Sequence, residues 1–222
     1  MTQIFFHEID RLKRLLLTQG SQVQSQVDLI SRALLVPDFD LFKKVFKEEK
    51  NIDLRDISLQ EECFKILALY QPVAFDLRFL ISLLKFNNDL ERISDLCAAI
   101  AKRSKKLLKL QAFPLVYDCI FLSKLTQAML AGALDALVKV DTAITQQVFR
   151  DEKLLNQQHK ANSKQIQEEI RKNPEQVEAL IHQLVISRHF ERIGDLATNL
   201  AEEVIYLVNG EIVRHQEIDW DD

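Results

Sequence analysis

The segment LERISDL at residues 90–96 returns as FERIGDL at residues 190–196, one hundred positions later. An earlier segment, VFKEEK at residues 45–50, returns as VFRDEK at residues 148–153, and the two pairs keep the same order along the chain. Self-similarity at a nearly constant distance is the sequence signature of a repeated structural unit. The pairing predicts that the two halves of the chain fold alike.

Each half is predicted to be a helical bundle. The 222 residues include only 4 glycines and 4 prolines, whereas turn-rich folds draw heavily on both. Proline disrupts a helix interior but is tolerated in the first turn, so the prolines are interpreted as helix boundaries, with one further boundary where Asp141 can cap a helix. The predicted helices are residues 4–35, 38–70, 73–109, 115–139, 141–171 and 174–209. We therefore expect an all-α protein of two tandem, pseudo-symmetric three-helix bundles with long helices, at residues 1–112 and 113–222.

Composition excludes several classes of function. The few glycines are far apart in the chain, whereas loops that cradle phosphates need clustered glycines. With 29 Lys and Arg against 33 Asp and Glu, the net charge of −4 argues against general nucleic-acid binding. No run approaches the ~18 apolar residues of a membrane span, and the N-terminus is not typical of a signal peptide. The three cysteines are odd in number and lack a CxxC pair, so a reducing, cytoplasmic compartment with small buried thiols is expected.

Acidic pairs spaced four residues apart occur at corresponding places in the two repeats. Residues i and i+4 share a helix face, so like charges there repel each other, and buried carboxylates need a compensating positive charge. The pairs are Glu49 with Asp53 and Glu91 with Asp95 in the first repeat, and Glu152 with Asn156 and Glu191 with Asp195 in the second, where Glu202 follows on the same face. Antiparallel packing of the second and third predicted helices would bring the first two pairs together.

Two interpretations of these acids are open. Clusters of carboxylate oxygens suit hard or borderline cations such as iron, manganese, magnesium or calcium. The alternative is a solvated helix face on which Arg92 and Arg192 pair with neighbouring acids. Four occurrences of the spacing, one of them reduced to Glu-x-x-x-Asn, favour the metal interpretation.

Other polar and aromatic residues carry weaker signals. The five histidines share no ligand spacing and are expected at the surface or in helix caps; neither Glu-x-x-His nor His-Glu-x-x-His occurs, which disfavours di-iron and hydrolytic metalloenzymes. The basic run at residues 102–106 either complements a helix dipole or contacts an acidic partner or lipid headgroups. Exposed side chains at Ile4, Phe5 and Phe6 are expected to favour a homodimer, and Trp220 in the acidic tail could dock on a partner.

Two longer stretches resemble a known family. Residues 71–78 (QPVAFDLR), followed by the first copy of the repeated segment, are similar to the first repeat of the PhoU family of phosphate-uptake regulators. Residues 191–202 and the tail GEIVRH at 210–215 are similar to its second repeat. The resemblance implies two three-helix bundles in a non-enzymatic protein that restrains the phosphate-starvation response. It also implies two partners, the ATPase of a phosphate ABC transporter and a sensor histidine kinase.

The resemblance further implies metal ligands. Some PhoU-like proteins bind iron or other metals in multinuclear clusters through (E/D)xxxD motifs, and zinc, manganese, magnesium and calcium stay open for this chain. The ligands implied by position are Glu49, Asp53, Glu91, Asp95, Glu152, Glu191, Asp195 and Glu202. Asn156 stands where an acid is usual, and Ser94 replaces a glycine. We therefore expect the first repeat to bind metal better than the second.

Two other functions are weighed against the regulator. A carboxylate-bridged metalloenzyme of the phosphatase type could use a multinuclear site for in-line displacement. A purely structural bundle would leave its acids solvated. The regulator is favoured because the sequence shows a tandem repeat and acid clusters without a catalytic constellation.

Overall fold

The computed structural model describes residues 3–210, and this part of the chain is helical, without strands. The helices are α1 (Gln3–Leu35), α2 (Phe39–Tyr70), α3 (Ala74–Lys109), α4 (Cys119–Lys139), α5 (Thr145–Lys172) and α6 (Val177–Asn209). Short 3₁₀ turns at Thr142–Ile144 and Pro174–Gln176 lead into α5 and α6. The predicted all-α fold is confirmed, and each helix boundary lies within a few residues of its predicted position.

Capping side chains explain several of these boundaries. Asp38 accepts a hydrogen bond from the Asp40 N–H at 2.9 Å, and Asp141 accepts one from the Ala143 N–H at 2.9 Å. Asp118 accepts from two N–H groups at the start of α4, and therefore α4 begins after the predicted position 115. Such caps satisfy N–H groups that have no partner within the helix.

Helices α3 and α6 form a central antiparallel pair. Lys85 Nζ of α3 lies 2.9 Å from Glu203 Oε1 near the end of α6, and Arg103 Nη1 lies 3.3 Å from His182 Nδ1 near its start. Helix α2 packs on α1 and α3, helix α5 packs on α4 and α6, and α1 contacts α4. The result is two three-helix bundles, α1–α3 and α4–α6, related by approximate two-fold symmetry. The division of the chain at residues 112 and 113 stays a prediction.

Apolar seams along the helices form the core. The seam residues of α1 are buried: Leu16, Gly20, Val23, Val27, Ile30 and Leu34. A Cβ added at Gly20 would lie 2.8 Å from Leu134 Cδ2 of α4, so this glycine permits the close approach of α1 and α4.

Helix α4 has an apolar composition. Among the described residues, it is the one helix long and apolar enough to cross a membrane by length and composition. Its Met129, Leu130 and Ala133 side chains are completely buried against the other helices. A buried core helix meets the same two criteria, and this packing explains the composition of α4.

Two expectations about individual side chains are wrong. Phe5 is completely buried, with its ring in tilted contact with Tyr70 at the end of α2, and only Ile4 and Phe6 of that trio are exposed. His182 of α6 is not at the surface: its side chain is 6% exposed and packs toward α3. The tail residues 211–222, with Trp220 and most of the GEIVRH motif, lie outside the described residues.

Candidate metal site

The packing of α2 against α3 places the acids of the first repeat. The Asn87 side chain of α3 donates hydrogen bonds to the Asp56 carbonyl oxygen at 3.0 Å and to Asp56 Oδ1 at 2.6 Å. One helical turn further along the antiparallel pair, Asp53 of α2 faces Glu91 and Asp95 of α3. One carboxylate oxygen from each of these three residues lies within 4.8 Å of the other two. Of the four acids expected to converge in this repeat, three therefore do, and Glu49 is not part of this close trio.

Burial and neighbouring negative charges raise the pKa values of Glu49, Glu91 and Asp95. Burial raises the pKa of Glu91 to about 7, and the charges of Asp95, Asp56 and Asp53 add to the rise. Burial and the charge of Asp53 raise the pKa of Asp95. The pKa of Glu49 is raised by burial and then by Asp53 and Asp95. Asp53 thus acts on the other three predicted acids of the first repeat, and Asp95 acts on both glutamates.

The surroundings of Asp53 fit a cation better than a solvated face. Its Oδ1 atom is buried and accepts no hydrogen bond from the described residues, although buried polar atoms in proteins normally have a partner. Arg92, which was expected to pair with the neighbouring acids on the solvated-face interpretation, contacts Asp89 at 3.7 Å, and its charge offsets only part of the rise in the pKa of Glu91. Three converging carboxylates with one orphan oxygen form a donor set of the kind that hard cations prefer.

The second repeat brings its acids together less tightly. Burial raises the pKa of Glu152, and the charges of Asp195 and Glu202 raise it further, so these three residues lie near one another. Burial and the charge of Glu191 raise the pKa of Asp195. Within residues 3–210, however, no acidic or histidine trio other than that of the first repeat meets the same close spacing.

Sequence reasoning missed two residues beside these clusters. Asp56 accepts from Asn87 and from Gln60, and its charge acts on Glu91. The repeat offset of 103 aligns Asp56 with His159, whose Nδ1 lies 2.9 Å from Ser187 Oγ. Extending the repeat alignment by one helical turn would have found both positions.

Comparisons with known proteins cover nearly the whole chain. The family model described as the PhoU domain matches residues 16–104 and 121–204. The phosphate-specific transport system accessory protein PhoU of Escherichia coli (strain K12) is 28% identical over 211 residues, which span 95% of this chain and 88% of that protein. The PhoU homolog of Pseudomonas aeruginosa is 33% identical over 216 residues, which span 97% of this chain and 89% of that protein.

Two solved structures share the fold. The crystal structure of PhoU from Pseudomonas aeruginosa matches with a TM-score of 0.90 and 32% identity, over 93% of this chain and 100% of that chain. The phosphate transport system regulatory protein PhoU from Streptococcus pneumoniae matches with a TM-score of 0.86 and 28% identity, over 94% of this chain and 99% of that chain. The likeness therefore includes both repeats and their mutual packing.

Proposed function

The chain belongs to the PhoU family, and on that premise we propose that it is an accessory protein that regulates a phosphate transport system. The observation that carries the proposal is the match of both repeats to the PhoU domain, in the same order and over most of the chain. Relatives named as accessory proteins of phosphate-specific transport support it, since they share nearly the full length. The role is non-enzymatic and negative: the protein restrains the phosphate-starvation response.

The partners in this proposal are the ATPase of a phosphate ABC transporter and a sensor histidine kinase. The protein acts in the cytoplasm, at most at the membrane periphery, and as a homodimer. Exposed apolar side chains on α1, such as Ile4 and Phe6, support self-association because they offer area to bury. Binding to the ATPase or to the kinase requires exposed helical surface and no catalytic centre.

Metal is part of the proposal. The ligands in the first repeat are Asp53, Glu91 and Asp95, with Glu49 beside them; iron, manganese, zinc, magnesium and calcium are the candidates. The bound ion would supply positive charge that offsets the mutual repulsion of these carboxylates. Glu152, Glu191, Asp195 and Glu202 form the corresponding, weaker site of the second repeat. Fewer acids converge there, because Asn156 replaces the acid that would correspond to Asp53.

The adaptor role is tested by co-purification. The tagged full-length protein, expressed in its own host under phosphate-rich conditions, is expected to retain the transporter ATPase or the kinase. Retention of neither partner, with the protein folded and at native abundance, would overturn the proposal. A parallel assay of phosphoester hydrolysis with added metal addresses the phosphatase alternative. Metal-dependent turnover that is lost in Asp95→Asn would replace the regulator with an enzyme.

Metal binding is tested by a matched pair of double variants. The first is Glu91→Gln with Asp95→Asn, and the second is Glu191→Gln with Asp195→Asn, which makes the same changes at the equivalent positions. Bound metal, measured by elemental analysis after dialysis, is expected to fall more in the first double variant. A larger loss in the second would contradict the ranking of the two repeats, and no metal in the unaltered protein would remove metal from the proposal.

A further inference from the structure

The two ends of the α3–α6 pair are equivalent in the internal repeat, but they differ in the balance of their charges. At one end Glu203 is 2% exposed and accepts hydrogen bonds from Lys85 Nζ at 2.9 Å and from Ser82 Oγ at 3.4 Å. The repeat offset of 100 aligns Glu203 with Arg103 and Ser82 with His182. At that second end, Arg103 Nη1 lies 3.3 Å from His182 Nδ1. The acid of one end is thus replaced by a guanidinium at the other.

Two further aligned positions also differ in charge. Asn88 and Asp89 at the first end align with Arg188 and His189 at the second. Asp89 is held near Arg92 at 3.7 Å, so acids and bases alternate at the first end. Among residues 3–210, neither Arg103 nor Arg188 lies within ion-pair distance of an acid. The second end therefore carries positive charge that this part of the chain does not balance.

His182 adds a buried donor to this charge. A guanidinium has only donors, so His182 Nδ1 accepts from Arg103 and the ring proton lies on Nε2. The Nε2 atom is buried and has no partner among the described residues. Burial, and then the charges of Arg103 and Lys106, lower the pKa of His182, while Glu178 opposes them. Lys106 therefore lies close enough to act on the same ring.

We propose that this basic end, formed by Arg103, Lys106 and His182, binds a phosphate group, either free or as a phosphomonoester. The guanidinium fork matches the oxygens of a tetrahedral oxyanion, and an ammonium group adds a second charge. A dianion would balance the excess positive charge. The inference rests on this difference in charge and not on the proposed metal site, so either can fail alone.

The test is isothermal titration calorimetry, in which inorganic phosphate is added to the full-length protein in a buffer that contains EDTA. EDTA prevents phosphate from binding through a metal held by the acidic clusters. Saturable binding with a dissociation constant of about 1 mM or tighter is expected. Arg103→Gln is expected to weaken binding about tenfold, the effect of losing one charge-assisted hydrogen bond. The matched control is Lys102→Gln, which removes an equal charge from the exposed neighbouring position and is expected to change affinity less than about twofold.

Further measurements separate the sources of the phosphate group and guard against misfolding. Glycerol 3-phosphate and vesicles containing phosphatidic acid are titrated in parallel. If either one binds more tightly than inorganic phosphate, the ligand is a phosphomonoester of that kind. If Arg103→Gln does not fold, the exposed Lys106→Gln variant replaces it. The His182 ring is expected to titrate at higher pH when phosphate is bound, because a dianion favours the imidazolium. The proposal is overturned if phosphate does not bind saturably, or if Lys102→Gln weakens phosphate binding as much as Arg103→Gln does. It is also overturned if the protein binds an acidic peptide but none of the phosphate compounds.

Discussion

Replacing Glu91 by glutamine should stabilise the metal-free protein at alkaline pH. Burial and three neighbouring carboxylates raise the pKa of Glu91 from its usual 4.5 to about 7. The folded chain therefore binds this proton more tightly than the unfolded chain does. The free energy of unfolding must then fall as the pH rises from about 4.5 to about 7, and the loss is complete above that range.

The size of the effect follows from the change in acidity. Each pKa unit corresponds to 1.36 kcal/mol, so the full rise would be worth about 3 kcal/mol. Because Glu91 is only partly buried, water screens its neighbours and reduces this to about 1–2 kcal/mol. Glutamine has nearly the shape of the protonated acid and no charge. Glu91→Gln should equal the unaltered protein near pH 4 and exceed its stability by that amount near pH 8.

The assay is urea denaturation in EDTA at both pH values, monitored by circular dichroism. Glu61→Gln, which makes the same change at an exposed position of α2, is the matched control. It should change the free energy of unfolding only slightly, and by the same amount at both pH values. In excess metal the order should reverse, since an ion at 100 times its dissociation constant adds about 2.7 kcal/mol to the protein that binds it. The reasoning is refuted if Glu91→Gln is destabilising at pH 8 without metal, or if its effect does not depend on pH.

Three further outcomes are expected. A Cβ at Gly194 would lie 2.1 Å from Leu155 Cδ2 in the packed α5–α6 contact, so Gly194→Ala should lower the free energy of unfolding by about 1–3 kcal/mol in urea denaturation; an unchanged midpoint would contradict this. The buried Tyr117 hydroxyl donates to the Gln183 carbonyl oxygen at 2.9 Å, and Tyr117→Phe should cost about 1 kcal/mol by the same measurement; a stabilised variant would show that the bond contributes nothing. Burial raises the pKa of Cys97 far above its usual value, so its thiol should react with Ellman's reagent only after unfolding; rapid labelling of the native protein would argue against its burial.

The fold was predictable in detail because its determinants are local or repetitive. Scarce glycine and proline leave few places for turns, and the capping residues Asp38 and Asp141 mark helix starts within the sequence itself. Two aligned copies of one segment then indicate the tandem arrangement. The start of α4, the first helix of the second half, was misplaced because the N-cap at Asp118 was not recognised.

The sequence by itself determined which residues are acidic, apolar or small, and at what helical spacing, because chemistry and periodicity are properties of the chain. Only the tertiary structure decided that Asp53 meets Glu91 and Asp95 while Asn156 leaves the second cluster looser, since the register between neighbouring helices sets those distances. It also decided that Arg103 meets His182, two residues far apart in sequence. Such contacts depend on how α3 and α6 cross, and the packing of the whole core fixes that crossing.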